Sequence, residues 1–257
     1  MNSWQMLATL WKGIPGVARD HWRMLLMLNL AAILLAVGLS FFDQSLLPAL
    51  QLGEPSEAYE LAGFLSEELN FDRLPLYVCL ALWVIGTFQK RRDWKAIALT
   101  IIFAACFAGI GVNVFRGTLG RPRPSAEWAD VVGTETQKPA WFLFGAPQIP
   151  AGAELTDAPP QGFYGPSSTI QFQSLPSGHC ATSFAYSTAV CIVAPAYAIP
   201  ATIAAGAVAW SRLERNRHWP SDVLIGSSFG ITCGLLVGIA GRRMMRETKA
   251  LPPEEFS

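Results

Sequence analysis

Charge is scarce in this sequence, and the charges present cancel. Only 15% of the 257 residues are Asp, Glu, Lys or Arg, and the formal net charge is zero. A protein that binds nucleic acid needs an excess of positive charge, so nucleic acid is not an expected partner. Hydrophobic residues make up 51% of the chain and the mean hydropathy is +0.31, which is too apolar for an ordinary soluble domain. This composition predicts several membrane spans.

Metal-binding and disulfide patterns are missing as well. The five cysteines lie in or beside apolar runs, and we interpret them as small buried hydrophobic residues. We therefore expect no metal or other cofactor. Of the three histidines, His21 lies among interfacial tryptophans near the N-terminus, which leaves His179 and His218 as candidates for chemistry. We expect no cleavable signal peptide, tandem repeat or second domain, so residues 1–257 are predicted to form one domain.

Apolar runs that could cross a bilayer recur along the chain. Six spans are predicted, at residues 24–42, 74–88, 96–115, 180–196, 198–210 and 223–240. Residues 56–70 predict a short helix on the membrane surface, with Leu61, Phe64, Leu65 and Leu69 on its apolar side. A polar insert rich in Pro and Gly occupies about 117–175. The predicted fold is all-α, with six transmembrane helices and a long external insert.

Glycine recurs at every fourth residue of the last apolar run, at Gly226, Gly230, Gly234 and Gly238. This spacing places the glycines on one face of a helix, where the missing Cβ atoms let a neighbouring helix approach closely. We expect this face to press the sixth span against its neighbours.

The distribution of basic residues predicts the orientation. With six spans, both termini and the loop at 90–95 lie on one side, which holds eleven of the 19 Lys and Arg residues and should be cytoplasmic. Most of the others lie in two short stretches on the opposite side, at 116–123 and 212–217. Because positive charge is disfavoured there, an anionic ligand at the outer face is the expected reason. The predicted location is a plasma or inner membrane, with the active site facing the periplasm or exterior.

Polar residues at the outer ends of the spans carry the candidate chemistry. Arg116 and Arg123 close the third span, and their guanidinium groups suit phosphate oxygens. Ser177 is a natural N-cap for the fourth span, whose free N–H groups attract anions, and His179 follows it.

The loop between the fifth and sixth spans adds Arg212, His218 and Asp222. A carboxylate beside a histidine fixes one ring tautomer and supports the positive charge that develops when the other nitrogen attacks. Each stretch taken alone also fits an ordinary loop at the membrane surface with solvated side chains.

Together, these stretches resemble the signature of the type 2 phosphatidic acid phosphatase family, which shares its core with vanadium-dependent haloperoxidases. That signature reads Lys-x6-Arg-Pro, Pro-Ser-Gly-His and Ser-Arg-x5-His-x3-Asp. Matching positions here are Arg123-Pro124, Pro176–His179, Ser211, Arg212, His218 and Asp222. Arg116 stands where the family usually has Lys, a change that keeps the charge and makes a bidentate contact possible.

The resemblance implies phosphoryl transfer in two steps without a metal. His218 would attack phosphorus and form a phosphohistidine, while Asp222 holds the other ring nitrogen. His179 would protonate the leaving oxygen and then activate water. The equatorial phosphate oxygens would be held by Arg116, Arg123, Arg212, Ser177 and the N–H of Gly178.

The leading interpretation is a lipid phosphatase that acts on a phosphate or diphosphate headgroup, with membrane lipids as its surroundings. A lipid phosphotransferase with the same intermediate is the alternative enzyme. A haloperoxidase is disfavoured because its soluble oxidant chemistry needs no spans, and a transporter lacks charges at the centre of its spans. A scaffold that has lost catalysis is disfavoured because no catalytic position is missing. The lipid and the oligomeric state remain open from sequence.

Overall fold

A computed structural model describes residues 1–52, 57–133 and 139–250, with the side chains of 248–250 left undescribed. Ser56, the predicted start of the surface helix, and Lys138 lie outside the described residues, as does the side chain of Lys249. Within the described ranges the protein consists of helices without β-strands, which confirms the all-α prediction for that part. The α-helices are α1 Ser3–Ser40, α2 Asp43–Leu50, α3 Glu57–Glu68, α4 Leu74–Phe88, α5 Arg92–Leu119, α6 Ala129–Val132, α7 Gly178–Val193, α8 Ala198–Glu214 and α9 Pro220–Ala250. Two short 3-10 helices, Ile170–Phe172 and Pro195–Tyr197, precede α7 and α8.

Helices α7 and α9 pack together along the glycine face predicted from sequence. A Cβ on Gly226 would lie 2.4 Å from the carbonyl oxygen of Ser177, and one on Gly230 would lie 2.3 Å from that of Ala181. Gly234 and Gly238 are also too close to α7 for a side chain, since an added Cβ would lie 2.6 Å and 2.8 Å from the nearest α7 atoms. The predicted role of this stripe in helix packing is confirmed.

Helix α1 is much longer than the predicted first span. It begins at Ser3 rather than at residue 24, because Asn2 and Gln5 form a capping box at its start. Its first half is not confined to the interface: Met6 and Leu10 are buried in a cluster with Ala240 and Met244 of α9. The N-terminal end of α1 and the C-terminal end of α9 therefore lie side by side.

Among the described residues, three helices are long and apolar enough to cross a membrane, judged by length and composition. They are α1, α5 and the Pro220–Glu247 part of α9. Helix α4 is apolar but shorter and has the predicted bounds, while α7 and α8 contain 16 and 17 residues. The count of six spans remains a prediction.

The short helix expected at 56–70 is present as α3, and its apolar side does not pack against the rest of the protein. Leu61 and Phe64 are exposed, whereas Ala62 and Ser66 are buried. Arg215, which follows α8, lies 4.0 Å from the centre of the Tyr59 ring of α3. An apolar side chain is stable against lipid, so in a membrane protein the smaller and more polar side of a helix can face the protein.

The insert between α5 and α7 has a small core of its own. Trp128, Val131, Phe142 and Phe172 are buried together, and the rings of Phe142 and Phe172 meet edge to face with their centroids 5.2 Å apart. The insert is attached to the end of α5 at Gly120. This position requires glycine, because its φ is +63° and because an added Cβ would lie 1.9 Å from the carbonyl oxygen of Gly165. The insert is thereby held over the end of the bundle where α5 stops and α7 begins.

Candidate active site

The predicted site residues all come from helix ends and loops at one end of the bundle. Backbone hydrogen bonds tie these segments together although they are far apart in sequence. The N–H of Ser177 donates to the carbonyl of Asp222 at 3.2 Å, and the N–H of Ser174 donates to the carbonyl of Arg121 at 3.0 Å. The segment after α5, the start of α7 and the start of α9 therefore form one framework.

His218 is buried, and its ring has a defined partner. Its Nδ1 lies 2.7 Å from the carbonyl oxygen of Ser174. A carbonyl oxygen only accepts hydrogen bonds, so Nδ1 carries the proton and Nε2 keeps a free lone pair. The expected contact with Asp222 is not the one found: the nearest Asp222 oxygen lies 4.0 Å from Nδ1. Sequence reasoning missed Ser174, because a backbone acceptor leaves no mark in the sequence.

Asp222 instead holds the segments on either side of His218. Its Oδ2 accepts from the hydroxyl of Ser174 at 2.5 Å and from the N–H of Trp219 at 3.0 Å. Its Oδ1 accepts from Nη1 of Arg121 at 2.5 Å. The carboxylate is fully buried and fixes the ring of His218 indirectly, through the residues that contact it.

Arg121 connects Asp222 to a second buried carboxylate that sequence reasoning did not single out. Nη2 of Arg121 donates to Oδ2 of Asp43 at 2.7 Å. Asp43 opens α2 and also accepts from the N–H of Ser221 at 3.0 Å and from its hydroxyl at 2.5 Å. The elbow between α1 and α2 is therefore anchored to the start of α9, and Arg121 is held between two carboxylates.

Donors without partners surround the two histidines. Among the described residues, the buried Nε atoms of Arg116, Arg123 and Arg212 and the hydroxyl of Ser177 have no hydrogen-bond partner. Arg116 lies against the start of α7, since its Nη1 would be 3.2 Å from a Cβ added to Gly178. Buried donors are normally paired. Several unpaired ones in a single place are suited to an anion with several oxygen atoms.

Burial and nearby arginine charges both disfavour protonation of the two histidines. Burial, followed by the positive charges of Arg212 and Arg123, lowers the pKa of His179 from 6.5 to about 3. Burial and the same two arginines lower the pKa of His218 well below its usual value. Arg217 also acts on His179, a contribution that the predicted site did not include. Both rings are therefore neutral at physiological pH, as an attacking histidine must be.

Ser66 of α3, which lies outside the three motifs, helps to position Arg212: Nη1 of Arg212 donates to the hydroxyl of Ser66. Burial lowers the pKa of Arg212 and of Arg123 to about 10, so both guanidinium groups keep their charge at neutral pH. In the part of the chain that the structure describes, no three His, Cys, Asp or Glu side chains are grouped to hold a metal ion. The positive charge described at this place is that of Arg116, Arg123 and Arg212.

Comparison with known proteins gives one family. Residues 97–243 match the family model of the PAP2 superfamily, which is more than half of the chain. A lipid A 1-phosphatase from Rhizobium johnstonii is 29% identical over 147 residues, covering 57% of this chain and 49% of that protein. A lipid A 1-phosphatase from Porphyromonas gingivalis is 42% identical over 67 residues, covering 24% of this chain and 15% of that protein. The chain thus matches less than half of the length of either relative.

A solved structure has a similar fold. The crystal structure of a transmembrane PAP2 type phosphatidylglycerolphosphate phosphatase from Bacillus subtilis superposes with a TM-score of 0.55 at 17% identity. The alignment covers 91% of this chain and 98% of that one. This likeness shows the fold, and the three helices that are long and apolar enough to cross a membrane agree with it.

Proposed function

The chain belongs to the PAP2 superfamily, and from this premise we propose that it is an integral membrane phosphatase that removes phosphate from a lipid headgroup. The observation that carries the proposal is the set of buried, unpartnered donors beside two neutral histidines. The names of the relatives, two lipid A 1-phosphatases and a phosphatidylglycerolphosphate phosphatase, support a phosphorylated lipid as the substrate.

In the first step, Nε2 of His218 attacks phosphorus and the bond from phosphorus to the lipid oxygen breaks. Nδ1 keeps its proton, which stays hydrogen-bonded to the carbonyl of Ser174, so the phosphohistidine ring becomes positively charged. Asp222, 4.0 Å away, stabilises that charge. The leaving oxygen takes its proton from His179.

His179 must first acquire that proton. Its pKa is low because the ring is buried and because arginines lie near it, and a bound phosphate offsets the charge of those arginines. A substrate that arrives as the monoanion can therefore pass its proton to His179 on binding. In the second step, water attacks phosphorus, its proton moves to His179, and the bond between phosphorus and Nε2 breaks to release inorganic phosphate.

The oxygens of the transferring phosphoryl group are held by Arg116, Arg123, Arg212, the hydroxyl of Ser177 and the N–H of Gly178. Phosphoryl transfer depends mainly on positioning and on charge stabilisation, and fixed donors in a buried site supply both. Because arginine provides the positive charge, we expect turnover to survive a chelator.

Phosphate release from purified protein against a panel of lipids, with EDTA present, tests the activity. The panel contains phosphatidate, phosphatidylglycerol phosphate, an isoprenyl diphosphate and a lipid A. Release from at least one lipid is expected. Full inactivation by EDTA that one added metal reverses would contradict the metal-free mechanism. Transfer of the phosphate to a second lipid, without release, would identify a phosphotransferase.

The covalent intermediate has its own test. His218→Ala should abolish turnover, and a brief reaction with radiolabelled substrate should trap label on the parent protein but not on this variant. A label that is stable in base and lost in acid would identify a phosphohistidine. Substantial turnover by the purified variant would refute the assignment of the nucleophile.

We also propose that one six-span domain places the site on the outer side of a plasma or inner membrane. The site lies at the end of α5 opposite Ala96 and Leu99, which pack in one cluster with the start of α1 and the end of α9. The bias of basic residues towards that opposite end supports a cytoplasmic location for both termini. A reporter fused after Lys249 should be cytoplasmic and one inserted at Gly152 external, and the reverse labelling would refute this orientation.

A further inference from the structure

Asp43 is a buried carboxylate to which the chemistry described so far gives no role. It opens α2 with 0% of its surface exposed, and its hydrogen bonds in the described part of the chain go to Ser221 and Arg121. A neutral side chain could hold the same elbow, and a buried charge is costly unless it is paired. The negative charge itself therefore needs an explanation.

Every carboxylate oxygen of Asp43 and Asp222 accepts a hydrogen bond from an N–H group. For Asp43, Oδ1 accepts from the backbone of Ser221 at 3.0 Å and Oδ2 accepts from Nη2 of Arg121 at 2.7 Å. For Asp222, Oδ1 accepts from Nη1 of Arg121 at 2.5 Å and Oδ2 accepts from the backbone of Trp219 at 3.0 Å. An ionised carboxylate only accepts, whereas a protonated one has an O–H that must donate. This is the arrangement of two ionised carboxylates around one guanidinium group.

The charges of this group do not cancel. Two negative carboxylates and one positive guanidinium leave Asp43, Arg121 and Asp222 with a single net negative charge. Arg121 and Asp222 alone would form a neutral pair, whose attraction and repulsion for a nearby charge largely cancel. All three side chains are buried, so water and salt screen their field only weakly. Asp43 therefore decides whether the group is negative or neutral.

His218 becomes positively charged close to this group. Its Nδ1 lies 4.0 Å from Asp222 and keeps its proton when Nε2 forms the bond to phosphorus. Burial and the charges of Arg123 and Arg212 already lower the pKa of His218, so a positive ring is disfavoured at this place. A negative group on the Nδ1 side opposes that effect, and a neutral ion pair would not.

We propose that Asp43 keeps the group beside His218 negatively charged and thereby stabilises the phosphohistidine. Asp43 shares Arg121 with Asp222, so the guanidinium group neutralises only one of the two carboxylates. Because it acts through Arg121, Asp43 is a positioning residue rather than a catalytic one. This role rests on the proposed phosphatase function and adds to it a residue that lies outside the three motifs.

The two chemical steps should respond differently to loss of this charge. Asp43→Asn keeps the shape of the side chain and leaves the group neutral, and rapid-quench kinetics with radiolabelled p-nitrophenyl phosphate measure both steps. Formation of the phosphoenzyme should slow about tenfold, the order of magnitude for a unit charge beyond a guanidinium group at an effective dielectric constant of about 20. Hydrolysis of the phosphoenzyme removes the positive charge from the ring, so it should be as fast as in the parent or faster.

A second variant restores the net charge. Asp43→Asn combined with Arg121→Gln removes one negative and one positive charge, so Asp222 alone makes the group negative again. Formation of the phosphoenzyme should recover to within about threefold of the parent rate. A purely structural ion pair predicts the opposite, because the double variant loses more contacts than the single one. Leu47→Ala is the matched control: it removes buried contacts of α2 without changing the charge, and should leave both steps within about twofold.

Three outcomes would refute this role and leave the phosphatase function in place. They are parental rates of both steps in folded Asp43→Asn, an equal slowing of both steps, and a double variant that forms the phosphoenzyme more slowly than the single one. If the double variant does not fold, the ratio of the two rates in Asp43→Asn decides by itself. A parent protein that neither releases phosphate nor forms a phosphoenzyme would refute the proposed function, and the role of Asp43 with it.

Discussion

Replacement of Ser174 by Ala separates the two ways in which Asp222 could support His218. The change removes the hydroxyl that donates to Asp222 at 2.5 Å but keeps the backbone carbonyl that holds Nδ1 of His218. If Asp222 acts through Ser174, the ring loses part of its support. If Asp222 acts on the ring directly, the change should have little effect on catalysis.

The structure sets the expected magnitudes. A buried hydrogen bond to a charged group contributes about 1.5–3 kcal/mol. If the whole of this hydrogen-bond energy serves to hold His218 in place, its loss lowers kcat by roughly 10-fold to 150-fold. Asp222→Asn also removes a charge 4.0 Å from Nδ1, where two unit charges interact by about 4 kcal/mol at an effective dielectric constant of 20. We therefore expect Asp222→Asn to lower kcat by about 10²-fold to 10³-fold or more.

The assay is a double-mutant cycle on kcat with a single lipid substrate. Because Ser174 and Asp222 act as one unit, the double variant should be scarcely slower than Asp222→Asn alone. Elution as a single species in gel filtration controls for folding, since loss of one partner of a buried ion pair can cost about 3–5 kcal/mol of stability. Parental activity of folded Ser174→Ala, or additive losses in the double variant, would refute an action through Ser174.

Three further predictions concern the charged groups of the site. Arg116→Lys should keep activity within about tenfold, and Arg116→Ala should lose about 10²-fold or more in kcat/KM, because the charge faces the phosphate; an Ala variant near the parental rate would remove Arg116 from the site. His179→Ala should lose about 10²-fold to 10⁴-fold on a lipid and less on an aryl phosphate, whose leaving group needs no proton. Equal losses on both substrates would contradict the acid role. Because the pKa of His179 is lowered to about 3, the proton that His179 passes to the leaving oxygen must arrive with the substrate monoanion. We therefore expect kcat/KM to fall as the pH rises above the second pKa of the substrate phosphate, near 6. The pH of this decrease should move with the substrate's own pKa, and a decrease at the same pH for two substrates of different pKa would place the proton on the enzyme.

The helices were largely predictable from sequence because apolar runs mark the parts that lie in lipid. The bounds of α4 were predicted at both ends, but α5 and α9 extend beyond the predicted spans. Arg92 and Asp93 belong to the first turn of α5, and Arg242 and Arg243 continue α9. Hydropathy finds only the apolar part of such a helix, and charged residues at the membrane surface continue it.

The motifs predicted which residues meet at the site but not how they are held. Arg116, Arg123, His179 and His218 carry side-chain chemistry that a sequence displays. The support of His218 depends on a backbone carbonyl and on Asp43, which lies 78 residues before its partner Arg121. Such contacts arise from tertiary packing, and no local pattern reports them.

The contact between Gly226 and Ser177 also limits how this protein can evolve. Ser177 lies directly before α7, which contains His179, and Gly226 lies near the start of α9, which follows His218. The glycine face leaves α7 and α9 no room to slide. Mutations that adapt the proposed site to a larger or smaller ligand cannot move the two histidines apart without disrupting this helix contact. New specificities should therefore arise in the part of the insert that packs around Trp128 and Phe142, which can vary while Arg123, Ser174 and the histidines are inherited unchanged.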